Sequence, residues 1–275
     1  MRPHWFSRNP DKAFGEKLFL SFIPVFFAYN AAIQQLGWLD AGTLGHVLQN
    51  LGMWLPYCVL LPAWLRRRAY VPWHRSYWLK ANLFMAVWVF YATYFHTEYF
   101  FVLLGLRYRF PDVGLTFDSA LVGPDEATAA AAFQKVPVGM YLNSVAFFLV
   151  YHSAAVVSMR RVRTALGGSP LARRLAWAAI VAATALFFAF AETRLYITDA
   201  AEANVWYVDL AAMLRFGSVF YAMYFLVSFP AFYRLDEHPD QPPWSLGRTV
   251  IEASFVAMTS LLLLDLWARF VGPIV

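Results

Sequence analysis

DLAAMLRFGSVFYAMYFLVSFPAFYRLDE, residues 209–237, is an apolar run of membrane length that opens on a charge. A spanning helix needs roughly 20 mostly apolar residues, and this one carries Asp209 at its start and Arg215 between one and two turns in. A charge in hydrocarbon is costly at the bilayer centre and less so near an interface, so such residues tend to face a bundle interior and to mark a working site. The plainer reading of the same two residues is an ion pair that only locks helices together.

The rest of the chain is of the same kind. Of its 275 residues, 60% are hydrophobic and 14% charged, where a soluble domain carries roughly 25% charged residues. Apolar stretches fall near 17–38, 44–65, 77–105, 137–159, 174–198, 210–233 and 248–271. The fold class is therefore all-α, a polytopic membrane bundle of about seven transmembrane helices. These spans use nearly all of residues 1–275, so a single domain is expected. Pro24, Pro56 and Pro62 lie inside spans and predict kinks. Cys58 is the lone cysteine, which rules out an internal disulfide and argues against redox chemistry. No internal repeat is visible, as it would be in many transporters.

The net charge of +5 is no nucleic-acid signal, because the basic residues cluster in loops, where they set orientation and meet anionic lipid. Most of the 22 lie in the N-terminal tail (Arg2, Arg8, Lys12, Lys17) and in the loops around 66–75, 160–174 and 234–248. The positive-inside rule then predicts a cytoplasmic N-terminus and an external C-terminus. The first span is long and lacks a small-residue cleavage site, so it reads as an uncleaved helix. Ala/Arg-rich, Lys-poor usage suggests a high-GC bacterial source and an inner membrane; in a eukaryote the equivalent would be the endoplasmic reticulum. The longest loop, 106–136, contains DEATAAAAFQK (125–135), whose acidic start and basic end predict a short helix, either a surface cap or a lid.

Counting along each span, polar residues converge on one layer in the external half: His96 and Glu98 on the third, Asn143 on the fourth, Glu192 and Arg194 on the fifth, Asp209 and Arg215 on the sixth, Asp265 on the seventh. Each has a duller reading. Asp265 can pair with Arg269 one turn on. Glu192, Tyr196 and Asp199 can form a solvated helix end. His96 and Glu98, two residues apart, cannot both point inward. His152 lies at another depth and suits an interhelical hydrogen bond. The aromatic runs WVFYATYFHTEYFF (88–101) and FYAMYF (220–225) place Tyr94, Tyr221 and Tyr224 deep in the spans. Aromatic faces suit a flat apolar ligand and stabilise cations, although packing alone also explains such runs.

Several segments carry a family resemblance: YWLKAN (77–82), YFHTEYFFVLLG (94–105) with YRFP (108–111), FLVYH (148–152), RRVR (160–163), AAMLRFGSVFYAMYFLVSFPAFYRLDE (211–237) and LDLWARFVGPIV (264–275). Together they resemble the cycloeucalenol cycloisomerases, the cyclopropyl-sterol isomerases of sterol biosynthesis. The likeness covers most of the chain from residue 77 onward. This chain departs from the family pattern at Glu98, where a histidine is usual, and at His96, where an aromatic is usual.

The resemblance implies an isomerase with no metal and no redox cofactor, whose partners are a cyclopropyl sterol and membrane lipid. Such an enzyme protonates a 9β,19-cyclopropane, opens the ring to a C9 cation, and removes a proton from C8 to leave a Δ8 sterol. Protonating carbon needs an acid held protonated, and apolar burial favours that for a carboxyl; Glu98 and Glu192 are the candidates. Asp209 or His96 are candidate bases. Arg215, Tyr94, Asn143, Tyr221 and Tyr224 are candidate binding residues, with Arg215 expected to fix a carboxylate. A retinal protein would need a lysine in the last helix, and the four lysines lie elsewhere. Haem ligation would need paired axial ligands, and His96 and His152 differ in depth. The competing reading is a sterol carrier that uses the same pocket without chemistry.

Overall fold

The computed structural model describes residues 3–120 and 131–275. Long helical elements occupy all the expected spans. They are α1 (Pro10–Gln35), α2 (42–65), α3 (77–104), α4 (Val138–Ala165), α5 (Pro170–Tyr196), α6 (Leu210–Arg234) and α7 (Leu246–Phe270). Two three-residue strands, β1 (Leu106–Tyr108) and β2 (Val205–Tyr207), pair antiparallel with Leu106 opposite Tyr207. The protein is an all-α membrane bundle.

Helix α4 is the hub. It packs against α1, α2, α3, α5 and α6, and 78% of its apolar window is buried, against 22% for α5. An all-round apolar helix belongs in the interior of a bundle, and one so largely uncovered faces lipid. The element termini follow local chemistry. Asn9 caps α1 through Asp11 and Lys12 N–H, Ser169 caps α5, and Ser245 caps α7. Gly105 ends α3 at φ 67°, a conformation a side chain resists, and its Cβ would meet Val208 at 3.1 Å. This turn lets β1 double back over the helix ends.

Among the described residues three helices contain a π turn: Pro56–Leu60 in α2, Ala92–His96 in α3 and Met213–Gly217 in α6. The first has a traceable cause. Pro62 has no N–H to offer the Cys58 carbonyl four residues back. Asn82 of α3 supplies the donor instead, its Nδ2 reaching Cys58 O at 2.9 Å and Trp78 O at 2.8 Å. Its Oδ1 accepts from Trp54 Nε1 at 2.8 Å, which ties α2 to α3. Asn82→Ala should therefore leave a buried carbonyl and an indole N–H unpaired, at a cost of about 1–3 kcal/mol. Thermal unfolding in detergent measures it, and an unchanged midpoint would remove Asn82 from this role.

The tail and the loops 66–76, 160–170 and 234–245 meet at one end of the bundle. There Arg160, fully buried, binds Glu16 at 2.5 Å and Glu237 at 2.6 Å, and donates to Trp5 O at 2.9 Å. Lys12, also fully buried, pairs with Glu237 at 2.9 Å and donates to the Tyr233 and Leu235 carbonyls. Lys80 pairs with Asp236 and donates to Trp244 O. Three cations meet three carboxylates with no net charge, the condition under which burying ions is tolerable. Lys12 and Arg160, expected as solvated charges at span ends, are both out of water.

The 106–136 loop is pinned at its described ends. Asp112 N–H donates to Asp40 at 3.1 Å, Gly114 N–H to Thr43 at 2.9 Å, and Phe117 N–H to Val136 O at 2.9 Å. The helix expected over 125–135 falls mostly outside the described residues; its last part contains a 3-10 turn, Ala131–Phe133.

Candidate active site

A pocket opens at the end of the bundle opposite the ionic cluster, between α3, α4, α5 and α6 and under the β1–β2 ribbon. Leu106 and Tyr108 of β1 and Val205 and Tyr207 of β2 form its cover. Its ≈ 730 Å³ of space between the side chains includes the open mouth. The pocket is a narrow slot between side chains of four helices.

Glu192 is the one carboxylate lining this slot among the described residues. It sits one turn from the C-terminus of α5, and its exposed face is the pocket itself. Tyr221 of α6 donates its hydroxyl to Glu192 Oε2. Among the described residues no ion pair engages Glu192. The surrounding walls are aromatic edges and faces. Phe100 meets Tyr221 at 5.0 Å and 88°, and Tyr224 at 5.5 Å and 90°, while Phe147 meets Tyr196 at 4.8 Å and 85°. The π turn Ala92–His96 brings Ala92, Thr93, Thr97 and Phe100 of α3 to the slot.

Asn143 of α4 is a polar group on another wall. Its Nδ2 donates to Asn50 Oδ1 at 2.7 Å, and Asn50 in turn donates to His46 O at 2.7 Å. This chain orients the amide and leaves the Asn143 carbonyl oxygen as the acceptor available to a ligand hydroxyl.

The structure thus brings together Glu192, Asn143, Tyr221 and Tyr224. It puts the other sequence candidates elsewhere. Glu98 is buried with Asp118 and Lys135 as charged neighbours, and its Oε1 lacks a hydrogen-bond partner among the described residues. His96 is fully buried behind the pocket wall, edge-on to Tyr224 at 5.1 Å. Its ring leans toward the Ala257 backbone without closing a hydrogen bond. Tyr94 packs on Phe117 at 5.0 Å, away from the slot. Asp209 is exposed and caps the first turn of α6, accepting from Ala212 N–H at 2.8 Å. Arg215 is also exposed, lying over Phe216 at 5.9 Å rather than against a carboxylate. Near the end of a span, both reach polar surroundings without crossing hydrocarbon, which is why neither needs a buried partner. Asp265 accepts from Tyr99 at 2.9 Å. His152 makes the interhelical bond read from its position, with Nε2 at 2.8 Å from Ser228 Oγ and Nδ1 at 2.6 Å from Phe148 O.

Sequence reasoning missed the tyrosines of the ribbon, Tyr108 and Tyr207, and the helical Thr93 and Thr97. Tyr108 lies in the quoted YRFP segment, but loop residues have no depth in a count along spans.

No family model and no solved structure matches the chain. Over 278 aligned residues it is 33% identical to the cycloeucalenol cycloisomerase of Arabidopsis thaliana, an alignment that covers 98% of this chain and 90% of the plant protein.

Proposed function

Since the chain belongs to the cycloeucalenol cycloisomerase family of cyclopropyl-sterol isomerases, we propose that it converts a cycloeucalenol-type 9β,19-cyclopropyl sterol into the Δ8 sterol of the obtusifoliol type, with Glu192 as the proton donor. The observation that carries this reading is the solitary carboxyl in an aromatic slot, held by Tyr221 and free of cations that would keep it ionised.

The reaction is an isomerisation in which protons and electrons balance within the site. The Glu192 proton goes to C19, and the electron pair of the C9–C19 bond forms the new C–H bond. Ring strain is released and C9 becomes cationic. Loss of the C8 proton then returns an electron pair to form the C8=C9 bond. In this proposal the Glu192 carboxylate, now a base next to the cation, takes that proton. The cyclopropane methylene and the C8 hydrogen both lie on the β face of the sterol, so one carboxyl on that face serves both steps. The faces of Phe100, Tyr221 and Tyr224 stabilise the transient cation. Tyr221 holds Oε2, which leaves Oε1 to carry the mobile proton. The Asn143 carbonyl accepts the sterol 3β-hydroxyl and fixes the sliding position of the flat ring system. Glu98 and His96, outside the slot, act on packing rather than on the reacting atoms.

The test is turnover by the purified protein in buffer made with deuterium oxide and no added cofactor. Glu192 exchanges with solvent as product leaves, so the product should carry deuterium in its new angular methyl group. Product lacking that label would sink the protonation mechanism.

A further inference from the structure

At the end of the bundle that holds the ionic cluster, an open groove runs between the α4–α5 loop and the end of α6. Four arginines line it, Arg163, Arg173, Arg174 and Arg234. Arg234 leans on Glu252 at 3.8 Å. The other three make no ion pair among the described residues. Arg163 is positioned by aromatic rings: its guanidinium lies over Trp177 at 4.9 Å and over Tyr233 at 5.3 Å. Arg173 and Arg174 occupy the first turn of α5, which holds no acidic residue. Positive charge is disfavoured there by the helix dipole.

The groove is not polar throughout. Leu166, Pro170, Trp177 and Pro230 contribute apolar surface. Beyond it, Leu171 and Leu175 extend that surface along α5, 66% and 62% exposed. The lining therefore changes from cationic to lipid-like along a helix that faces the bilayer. A small anion would use the arginines and leave the apolar part empty. An amphiphile with a phosphate at one end satisfies both.

We propose that this groove binds the headgroup of an anionic phospholipid, the phosphate on Arg163, Arg173 and Arg174 and the acyl chains along Leu171 and Leu175. Basic pockets between helices at the membrane surface are suited to such headgroups. Arginine forms paired hydrogen bonds to phosphate oxygens, which a diffuse surface charge does not.

The experiment is native mass spectrometry of the full chain in a neutral detergent. Phosphatidylglycerol, phosphatidylcholine and inorganic phosphate are added in separate arms. Phosphatidylglycerol should give a discrete adduct, and phosphatidylcholine a much weaker one. Each arginine near the surface is worth roughly fivefold in affinity, so Arg163→Gln/Arg173→Gln/Arg174→Gln should weaken the adduct by on the order of 100-fold. Equal adducts with both lipids, an undiminished adduct in the triple variant, or inorganic phosphate displacing the lipid at equal concentration would each overturn the assignment. Should the triple variant not fold, Arg163→Gln alone must still show about a fivefold loss, and the wild-type adduct must still weaken as salt is raised.

Discussion

Glu192→Gln should lose turnover by about 10²–10⁴-fold while still binding sterol and unfolding at the wild-type temperature. That range is what removing a positioned general acid costs. The amide keeps the size of the side chain and still accepts from Tyr221, so the slot is unchanged except for the missing acidic proton. Tyr221→Phe removes only the hydrogen bond that orients the carboxyl, and a smaller loss, roughly tenfold, is expected. Glu98→Gln is the informative control. Glu98 is buried near Asp118 and Lys135 and not in the slot, so its variant should keep near wild-type turnover. If Glu192→Gln turns over normally and Glu98→Gln does not, the acid is in the wrong place in this account. Sterol binding by both variants, read by saturation, separates lost chemistry from lost fold.

The second large effect is on stability. Arg160→Met should destabilise the protein by about 3–5 kcal/mol, because it leaves Glu16 and Glu237 buried with one cation, Lys12, between them. Most of that loss is the cost of unpaired charge, not the worth of the original bonds. Acid should act on the same cluster. Burial alone would raise the Glu237 carboxyl, but the hydrogen bonds and charges of Arg160 and Lys12 overcome it and hold it at about 2, below its ordinary 4.5. A carboxyl depressed in the folded state stabilises the fold above its unfolded pKa. That stabilisation is lost as pH falls through the interval between the two values. Wild-type unfolding temperature should therefore drop steeply from about pH 4.5 toward about pH 2. The Arg160→Met protein should show a shallower fall over that interval. A parallel fall in both proteins would dissociate Glu237 from the acid response.

The helices and their order could be read from the sequence because hydropathy and length decide them; even α2 and α3, each containing a π turn and several polar residues, stay mostly apolar over a membrane length. The ionic cluster was invisible for a specific reason. Lys12, Arg160 and Glu237 lie far apart in the chain, and each stands at a span end where a solvated charge is the ordinary expectation. The candidate site was legible by depth but not by direction. Counting residues at 1.5 Å each put Glu98, Glu192, Asp209 and Arg215 in one layer. Whether a side chain then faces slot, loop or exterior depends on helix rotation. The π turns in α3 and α6 alter that rotation just where the candidates lie. Asp209 illustrates a second limit. A carboxylate at a helix start is a cap before it is anything else, and here its oxygen is engaged by Ala212 N–H.

A π turn contains one residue more than the α-helix around it, so everything beyond it is advanced by about 100°. In α3 the turn stands between a half that meets α7 and a half that supplies Thr97 and Phe100 to the slot. Excising one residue from 92–96 would leave a regular helix with the same ends, the same length to within about 1.5 Å, and a different wall. The wall of the slot therefore depends on one residue of helix length. An extra residue in mid-membrane, ordinarily a disruption, is here accommodated by the backbone and expressed as a rotation of the binding surface. A bundle of the same helices without it would present another set of side chains to the same space, with none of them replaced.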